Sequence, residues 1–330
     1  MFLRQLEYLT ALARERHFGR AANACNVSQP ALSTAIRKLE RELGLPLVYR
    51  GHRYDDLTPE GRALLRWAHQ VQAGVNGLET EAAALRRRPA GRLRIGVIPT
   101  ALGLTPLLSG ALLEQHPDVR LELRSLSSAQ IGAQLANFEL DAGVTYLDNE
   151  PLGEVESTPI YTERYVLLEP RAPDSVDTVA WAELEGRRLC LLSADMQNRR
   201  IIDAVLDRVG ARVTPHVESD SIATLVAFAR AGWSCVLAAA SLSLRELPSS
   251  LSVRRLVDPV VTHRVGLVTR HAELQPPLVR MLQAALHGLD VESLLAAGTS
   301  TAPPSDCGDV GSYGAAAELG RHAGAPATAI

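Results

Sequence analysis

The sequence predicts a multidomain protein, with a small, mainly helical N-terminal domain, then a long helix, then a larger α/β domain. Three observations predict this order. The chain has 330 residues, more than one ordinary domain needs. Its first part shows apolar residues at helical spacing, interrupted by turns, and beyond about residue 92 apolar strands alternate with helices. With 46% hydrophobic and 22% charged residues, the composition is that of a soluble globular protein.

The first 46 residues predict three helices. Apolar residues recur at helical spacing from Leu3 to Ala13, and a short alanine-rich helix follows, ending at Asn26. Ser28 and Pro30 mark the start of the third helix, because a serine hydroxyl can cap free backbone N–H groups and proline is tolerated in a first turn. Gly44 ends it. Its apolar stripe consists of Leu32, Ile36, Leu39 and Leu43.

The opposite face of the third helix is polar. Two short helices joined by a tight turn, the second with donors and acceptors near its N-terminus, form a helix-turn-helix that can meet base edges in the major groove. The alternative is a solvated face of any small helical domain. A hairpin turning at Gly51 would form a wing whose arginines lie beside the duplex. The DNA-binding residues predicted in this way are Ser28, Gln29, Pro30, Ser33, Thr34, Arg37, Arg50 and Arg53.

Charge is distributed unevenly along the chain. Residues 1–66 carry 11 basic and 7 acidic side chains, a net charge of +4, whereas the whole chain has a net charge of −3. Double-stranded DNA attracts basic surfaces. A duplex is therefore expected to bind the N-terminal part.

A long helix is predicted from Thr58 and Pro59 to about Arg86. Its apolar residues follow a heptad spacing through three heptads, which favours pairing with a second copy of the chain in a homodimer or homotetramer. The alternative is packing against the chain's own core. The predicted dimerisation residues are Leu64, Ala68, Val71, Val75, Leu78, Ala82 and Leu85. A charged segment with a proline and a glycine, Arg86 to Gly91, links this helix to the α/β part.

The remaining features exclude several other classes of protein. Cys25, Cys190, Cys235 and Cys307 are scattered singly, without the close pairs of a zinc or dithiol site, and favour a reducing, cytoplasmic location. We expect no catalytic residues, no metal and no cofactor. The N-terminus lacks the apolar core of a signal peptide, and no stretch is long enough to span a membrane. The tail from residue 298 to 330 is expected to be disordered.

Several motifs resemble the LysR-type transcriptional regulators, and the resemblance covers residues 1 to about 290. The matching segments are Phe18–Ala22, Val27–Ser33, Ile36–Glu40, Glu42–Leu47, Leu57–Gly61 and Leu93–Gly96. The resemblance implies a winged helix-turn-helix at 1–58, a dimerising linker helix at 59–89, and an effector domain of two subdomains like those of periplasmic binding proteins. Those subdomains would comprise 92–161 with 263–292, and 162–262. Departures from the family pattern occur at Thr34, Val48–Arg50, Asp55-Asp56 and Asn137-Phe138.

In such a fold a small-molecule effector would lie between the two subdomains, where the chain crosses near Tyr161-Thr162 and Val261–His263. Ligands of open α/β sheets bind beyond the carboxyl ends of parallel strands, where helix N-termini favour anions. We therefore expect a small, anionic effector. The residues predicted to bind it are Thr100, Ser127, Ser128, Thr145, Tyr146, Met196, Gln197 and Ser221, although serine and threonine also cap helices routinely.

The resulting prediction is a sequence-specific transcriptional regulator whose grip on an operator is controlled by an effector, with RNA polymerase as a further partner. A solute-binding protein is the first alternative, and the absence of a signal peptide argues against it. An enzyme is the second, but the sequence contains no P-loop, dinucleotide fingerprint or paired-histidine zinc motif, and Gly232–Val236 lacks the second glycine of a nucleophile elbow.

Overall fold

The computed structural model describes residues 3–50, 54–86, 89–172, 176–242, 247–272 and 275–298. The helices are α1 Leu3–Glu15, α2 Phe18–Ala24, α3 Gln29–Leu43, α4 Pro59–Leu85, α5 Thr105–Gln115, α6 Ser128–Ala136, α7 Gln197–Val209, α8 Ile222–Arg230, α9 Pro277–His287 and α10 Val291–Gly298. The strands are β1 Val48–Arg50, β2 Tyr54–Leu57, β3 Gly91–Val97, β4 Val119–Ser125, β5 Ala142–Tyr146, β6 Val155–Pro170, β7 Thr178–Ala180, β8 Leu189–Leu192, β9 Val217–Ser219, β10 Ser234–Ala238, β11 Leu251–Val257 and β12 Thr262–Arg270.

The three predicted N-terminal helices are confirmed. The Ser28 hydroxyl accepts a hydrogen bond from the backbone N–H of Ala31 and caps α3. At the other end Gly44 adopts a φ of 69°, a left-handed conformation that a residue without Cβ takes up readily. The antiparallel strands β1 and β2 form the predicted hairpin, whose turn at Gly51 lies outside the described residues.

Helix α4 begins against this small domain. The Thr58 hydroxyl caps it by accepting from the N–H of Gly61 at 2.9 Å. A Cβ on Gly61 would lie 2.1 Å from the backbone oxygen of Leu47, so only glycine allows the helix to approach the hairpin this closely. The helix then runs without interruption to Leu85, in agreement with the predicted range.

The α/β part contains two subdomains that share a continuous run of strands. One half of the sheet has the order β4-β3-β5-β12, and the other contains β10, β8 and β9. The long strand β6 joins them, because its first part pairs with β12 and its last part pairs with β10 and β11. The sheet is mixed: β3 is parallel to β4 and β5, whereas β12 is antiparallel to β5 and β6, and β6 is antiparallel to β10.

The predicted crossing points lie within or beside these two shared strands. Tyr161-Thr162 falls in the middle of β6, and Val261–His263 covers the start of β12. The tail that we expected to be disordered lies outside the described residues from 299 onward. Among the described residues, no helix combines the length and the apolar character that crossing a membrane requires.

Candidate DNA-reading face and effector cleft

Helix α3 presents its polar residues to solvent. Leu32, Ile36 and Leu39 are each 0% exposed and seal the inner side of the helix. Of the predicted DNA-binding residues on the outer side, all are exposed except Ser33, which is half-buried. The exposed ones are Ser28, Gln29, Pro30, Thr34 and Arg37. The N-terminal turns of α3 therefore offer a continuous surface of donors and acceptors.

The hairpin beside α3 is described only in part. Arg50 belongs to β1, but its side chain lies outside the described atoms, as does the whole of Arg53. Asp56, in β2, forms an ion pair with Arg62. A hydrogen bond from the N–H of Leu57 and the Arg62 guanidinium lower the pKa of Asp56. Its negative charge is therefore matched locally by a cation.

The apolar stripe of α4 divides into an inner and an outer part. Ala68 is 1% exposed in the core of the N-terminal domain, and Leu64 packs against the same cluster. The prediction that these two residues face a partner chain is therefore not supported by their position, because they already pack within their own chain. Leu78 and Leu85 are 73% and 80% exposed, Val71 and Ala82 are exposed, and Val75 is half-buried.

Trp67 extends this exposed stripe and was not among the dimerisation residues predicted from the heptad spacing. Its side chain is 63% exposed, four residues before Val71 and on the same side of the helix. The heptad spacing that includes Ala68 leaves Trp67 at a flanking position. Its size and apolar character were the signal that could have identified it.

The predicted effector residues converge at one buried cavity between the two subdomains. Six of the eight line it directly, contributed by the ends of strands and by helix N-termini from both sides. The lining residues are Ile98, Pro99, Thr100, Ser127, Ser128, Tyr146, Leu192, Met196, Gln197 and Asn198. The space open to water is about 10 Å³, enough for roughly one water molecule. In this conformation the cleft is closed.

The remaining two predicted residues are placed elsewhere. The Thr145 hydroxyl donates to the Ser128 hydroxyl at 2.9 Å, so Thr145 lies directly behind the cavity wall. Ser221 caps α8 by accepting from the N–H of Thr224 and is absent from the lining. The structure does not bring Ser221 to this cavity, and its hydroxyl caps the helix instead.

Hydrogen bonds join the two sides of the cleft. The Gln197 side-chain amide Nε2, from one subdomain, donates to the backbone oxygen of Asp148, from the other, at 3.0 Å. The neighbouring Asn198 Nδ2 donates to the Tyr146 hydroxyl at 3.1 Å. The cleft is thus closed by side chains at the N-terminus of α7 that reach across to β5 and its following loop.

Polar atoms around this cavity lack partners. Among the described residues, Gln197 Oε1 and Asn198 Oδ1 are buried without a hydrogen bond. The hydroxyls of Thr100 and Tyr165 lie beside the Tyr146 hydroxyl and interact with it. Buried polar groups are nearly always paired, so two unpaired amide oxygens on consecutive residues are a signal of a polar ligand site.

A buried carboxyl group lies in the shared strand β6. Glu163 is 1% exposed and accepts hydrogen bonds from the Tyr161 hydroxyl and from the backbone N–H groups of Arg164 and Ala240. Burial raises its pKa to about 8, because a charged carboxylate is poorly solvated there. Glu163 also pairs in register with His263 of β12, so it sits where both strands pass between the subdomains.

Three residues of this region were not predicted from the sequence: Asn198, Tyr165 and Glu163. Asn198 directly follows the predicted Gln197 in the first turn of α7, so the same argument from strand ends and helix N-termini could have included it. Tyr165 and Glu163 lie within a long strand, where a side chain's surroundings depend on strand pairing. No local signal marked them.

None of the described cysteines is among the residues that line the cavity. Cys190 and Cys235 are each 0% exposed and face each other on the adjacent strands β8 and β10. Burial raises the pKa of both thiols. Cys25 is half-buried in the N-terminal domain, and burial raises its pKa too. Such thiols form little thiolate, which is the reactive species.

Two protein-family models match the chain. The model described as "Bacterial regulatory helix-turn-helix protein, lysR family" matches residues 3–62. The model described as "LysR substrate binding domain" matches residues 86–289. Between them lies most of α4.

Individual proteins agree with these matches. The "DNA-binding transcriptional dual regulator OxyR" of Escherichia coli K12 is 34% identical over 235 residues, which cover 70% of this chain and 77% of OxyR. A structure of a full-length OxyR variant from Pseudomonas aeruginosa has a TM-score of 0.70 at 28% identity, covering 89% of this chain and 99% of that one. Full-length CbnR complexed with its target DNA shares the fold, with a TM-score of 0.64 at 22% identity over 87% of this chain and 99% of CbnR.

Proposed function

This chain belongs to the LysR family of bacterial helix-turn-helix regulators, and from that premise we propose how it reads DNA and what controls it. It is a DNA-binding transcriptional regulator with an effector-binding domain. In our proposal α3 enters the major groove, α4 pairs with a second copy of the chain, and a small molecule bound between the two subdomains changes the grip on the operator. The observation that carries it is the exposed polar face of α3.

The chemistry of that face suits the edges of base pairs. Arg37 can donate two hydrogen bonds to guanine, and Gln29 can pair with adenine through its amide. Shorter side chains nearby, those of Ser28, Ser33 and Thr34, supply further hydrogen-bond donors and acceptors. The buried stripe on the other side of α3 fixes the helix to its domain, so these side chains are held on a rigid support.

The exposed part of α4 supports a homodimer. Trp67, Val71, Leu78 and Leu85 leave apolar surface in water along a helix that otherwise carries polar residues. Covering such a stripe with the same stripe of a second chain removes it from water on both sides. A dimer would also present two copies of α3, as a two-fold symmetric operator requires.

A selection experiment tests the DNA part of this proposal. The full-length protein is incubated with a library of random duplexes, and the bound fraction is sequenced over several rounds. We expect a two-fold symmetric sequence to be enriched by the wild type and lost with Arg37→Ala. Arg212→Ala, which removes an exposed arginine in the effector domain, is the control and should select the same sequence. Failure of the wild type to enrich any sequence would contradict the proposal.

A second candidate function is peroxide sensing, since several relatives carry the name "Hydrogen peroxide-inducible genes activator". Peroxide oxidises thiolates, so a thiol-based sensor needs an accessible cysteine of low pKa. Cys190 and Cys235 are sealed in the sheet, and the cavity is lined by Gln197 and its neighbours without a cysteine among the described lining residues. We therefore propose a reversibly bound small molecule as the effector of this chain.

A further inference from the structure

We propose that the effector is a small uncharged molecule that offers hydrogen-bond donors, with an amide as the best-fitting group, and not an anion. The inference rests on the proposed effector cleft and specifies what that cleft selects. It replaces the expectation of an anionic ligand, which was based on helix N-termini alone.

The orientation of Gln197 carries the first step. Its Nε2 donates to the backbone oxygen of Asp148 at 3.0 Å, and turning the amide over would bring two oxygens together. The other end of the amide, Oε1, must therefore remain an acceptor. It is buried at the cavity and has no partner among the described residues. A ligand completes this group only by donating an N–H or O–H.

Asn198 adds a second acceptor beside the first. Its Nδ2 donates to the Tyr146 hydroxyl at 3.1 Å, which leaves Oδ1 buried and unpaired at the same cavity. Gln197 and Asn198 are consecutive residues in the first turn of α7, so the two oxygens belong to one small region. A group with two N–H donors, such as a primary amide, matches two neighbouring acceptors.

The charge around the cavity points the same way. The ten residues that line it include no lysine, arginine or histidine, and every polar one is an uncharged hydroxyl or amide. A carboxylate that contacts Gln197 Oε1 and Asn198 Oδ1 would meet two carbonyl oxygens, gain no cation, and leave both acceptors unpaired. Helix α7 has no side-chain cap at its N-terminus, so its backbone N–H groups are free to donate hydrogen bonds to a ligand. The carbonyl oxygen of an amide can accept these hydrogen bonds, and a full negative charge is not required.

In its closed form the cavity is too small for any ligand larger than a water molecule. Ile98, Pro99, Leu192 and Met196 form its apolar walls and leave about 10 Å³ open to water. Entry of anything larger than a water requires the subdomains to separate and then to close again around the ligand, so that the Gln197 bond to Asp148 is broken on entry and re-formed in the bound state. Ligand binding and cleft opening are therefore coupled through the residue that recognises the ligand.

Acetamide and acetate provide a matched test, because they have the same number of non-hydrogen atoms and differ in donors and charge. Binding of each to the full-length wild type is measured at neutral pH by ligand-observed NMR on the methyl group, with sodium chloride added to equalise ionic strength. We expect acetamide to bind at least about tenfold more tightly than acetate. Gln197→Met, which keeps the side-chain length but removes both the acceptor and the Nε2 bond to Asp148, should lower acetamide affinity by about tenfold.

Gln115→Met is the matched control, since Gln115 is exposed at the end of α5, and it should bind acetamide as the wild type does. Equal or tighter binding of acetate would overturn the donor inference. If that acetate binding were abolished by Ser128→Trp, which fills the cavity, the cleft of the proposed function would survive. Binding of neither compound would overturn the donor inference and the cleft together, while DNA selection by α3 would remain a separate test.

Discussion

The DNA-reading face and the effector cleft are built in opposite ways. The first lies on a single helix, within the ten residues from Ser28 to Arg37, and is open to solvent. The second is assembled from strand ends and helix N-termini spread from residue 98 to residue 198, and it is closed. A surface that binds a large, rigid partner can be fully formed before binding, on a helix that is fixed to its domain. A site that reports a small molecule must change when occupied, and here the same side chains close the cleft and face the ligand.

The largest expected effect lies on the open face. Arg37→Ala should reduce the affinity for the selected duplex by about 100-fold in a dimer that uses the residue twice, because each bidentate contact to guanine is worth about 1–3 kcal/mol. Affinity for an unrelated duplex should change much less. Fluorescence anisotropy with both duplexes measures the ratio, and Arg212→Ala is the control. Equal losses on both duplexes would assign Arg37 to phosphate contacts and remove it from base recognition.

The next effect concerns the helix that joins the two regions. Leu78→Asp should weaken the dimer at least about tenfold, because it would bury a charge in an apolar seam. Analytical ultracentrifugation over a concentration series measures the change. Val260→Asp, at a position 70% exposed in the effector domain, is the control. An unchanged dimer in Leu78→Asp would show that the seam lies elsewhere.

The next prediction concerns stability rather than binding, and it lies at Glu163 in the shared strand β6. Burial raises the pKa of Glu163 from 4.5 to about 8, so the folded protein keeps a proton that the unfolded chain releases. The stabilisation from this group is full below about pH 4.5 and is lost as the pH rises toward 8. The free energy of unfolding should therefore fall across this window by a few kcal/mol, since each unit of pKa shift corresponds to about 1.4 kcal/mol.

Glu163→Gln should remove this slope, because glutamine does not titrate. Urea unfolding of both proteins at several pH values between about 5 and 8 makes the comparison. Glu156→Gln, a half-exposed carboxyl earlier in the same strand, is the control and should keep the wild-type slope. Parallel pH profiles for the wild type and Glu163→Gln would contradict the assignment of a buried, protonated carboxyl.

The smallest expected effect is that of peroxide. Brief exposure to hydrogen peroxide should leave Cys190 and Cys235 as thiols, since both are 0% exposed and burial raises their pKa. Mass spectrometry of peptides, after alkylation under denaturing conditions, measures the oxidised fraction. Rapid oxidation of either cysteine with a change in operator affinity would restore peroxide as the signal.

The contrast between the two regions also explains what could be predicted from the sequence. The α3 face follows from local signals, namely the Ser28 cap, the apolar stripe and Gly44, all within one helix. Much of the cleft could be predicted because the residues after Val97, Ser125 and Tyr146 share one edge of a sheet.

The rest depended on long-range packing. Ala68 shares the heptad spacing of Leu78, but only the position of α1 decides that one is buried within the chain while the other faces solvent. The antiparallel direction of β6 and the burial of Glu163 depend on pairing with β12, which is distant in sequence. Spacing identifies a face of an element, and the fold decides what that face meets.

Hydrogen–deuterium exchange of the full-length protein on DNA tests the central claim most directly. Exchange is compared for the free protein, the protein on its selected duplex and the protein on an unrelated duplex. The account predicts that peptides covering Ser28 to Arg37 gain protection on the selected duplex beyond that on the unrelated one. Equal protection on both duplexes, or protection confined to other parts of the chain, would contradict the assignment of α3 as the helix that reads the operator.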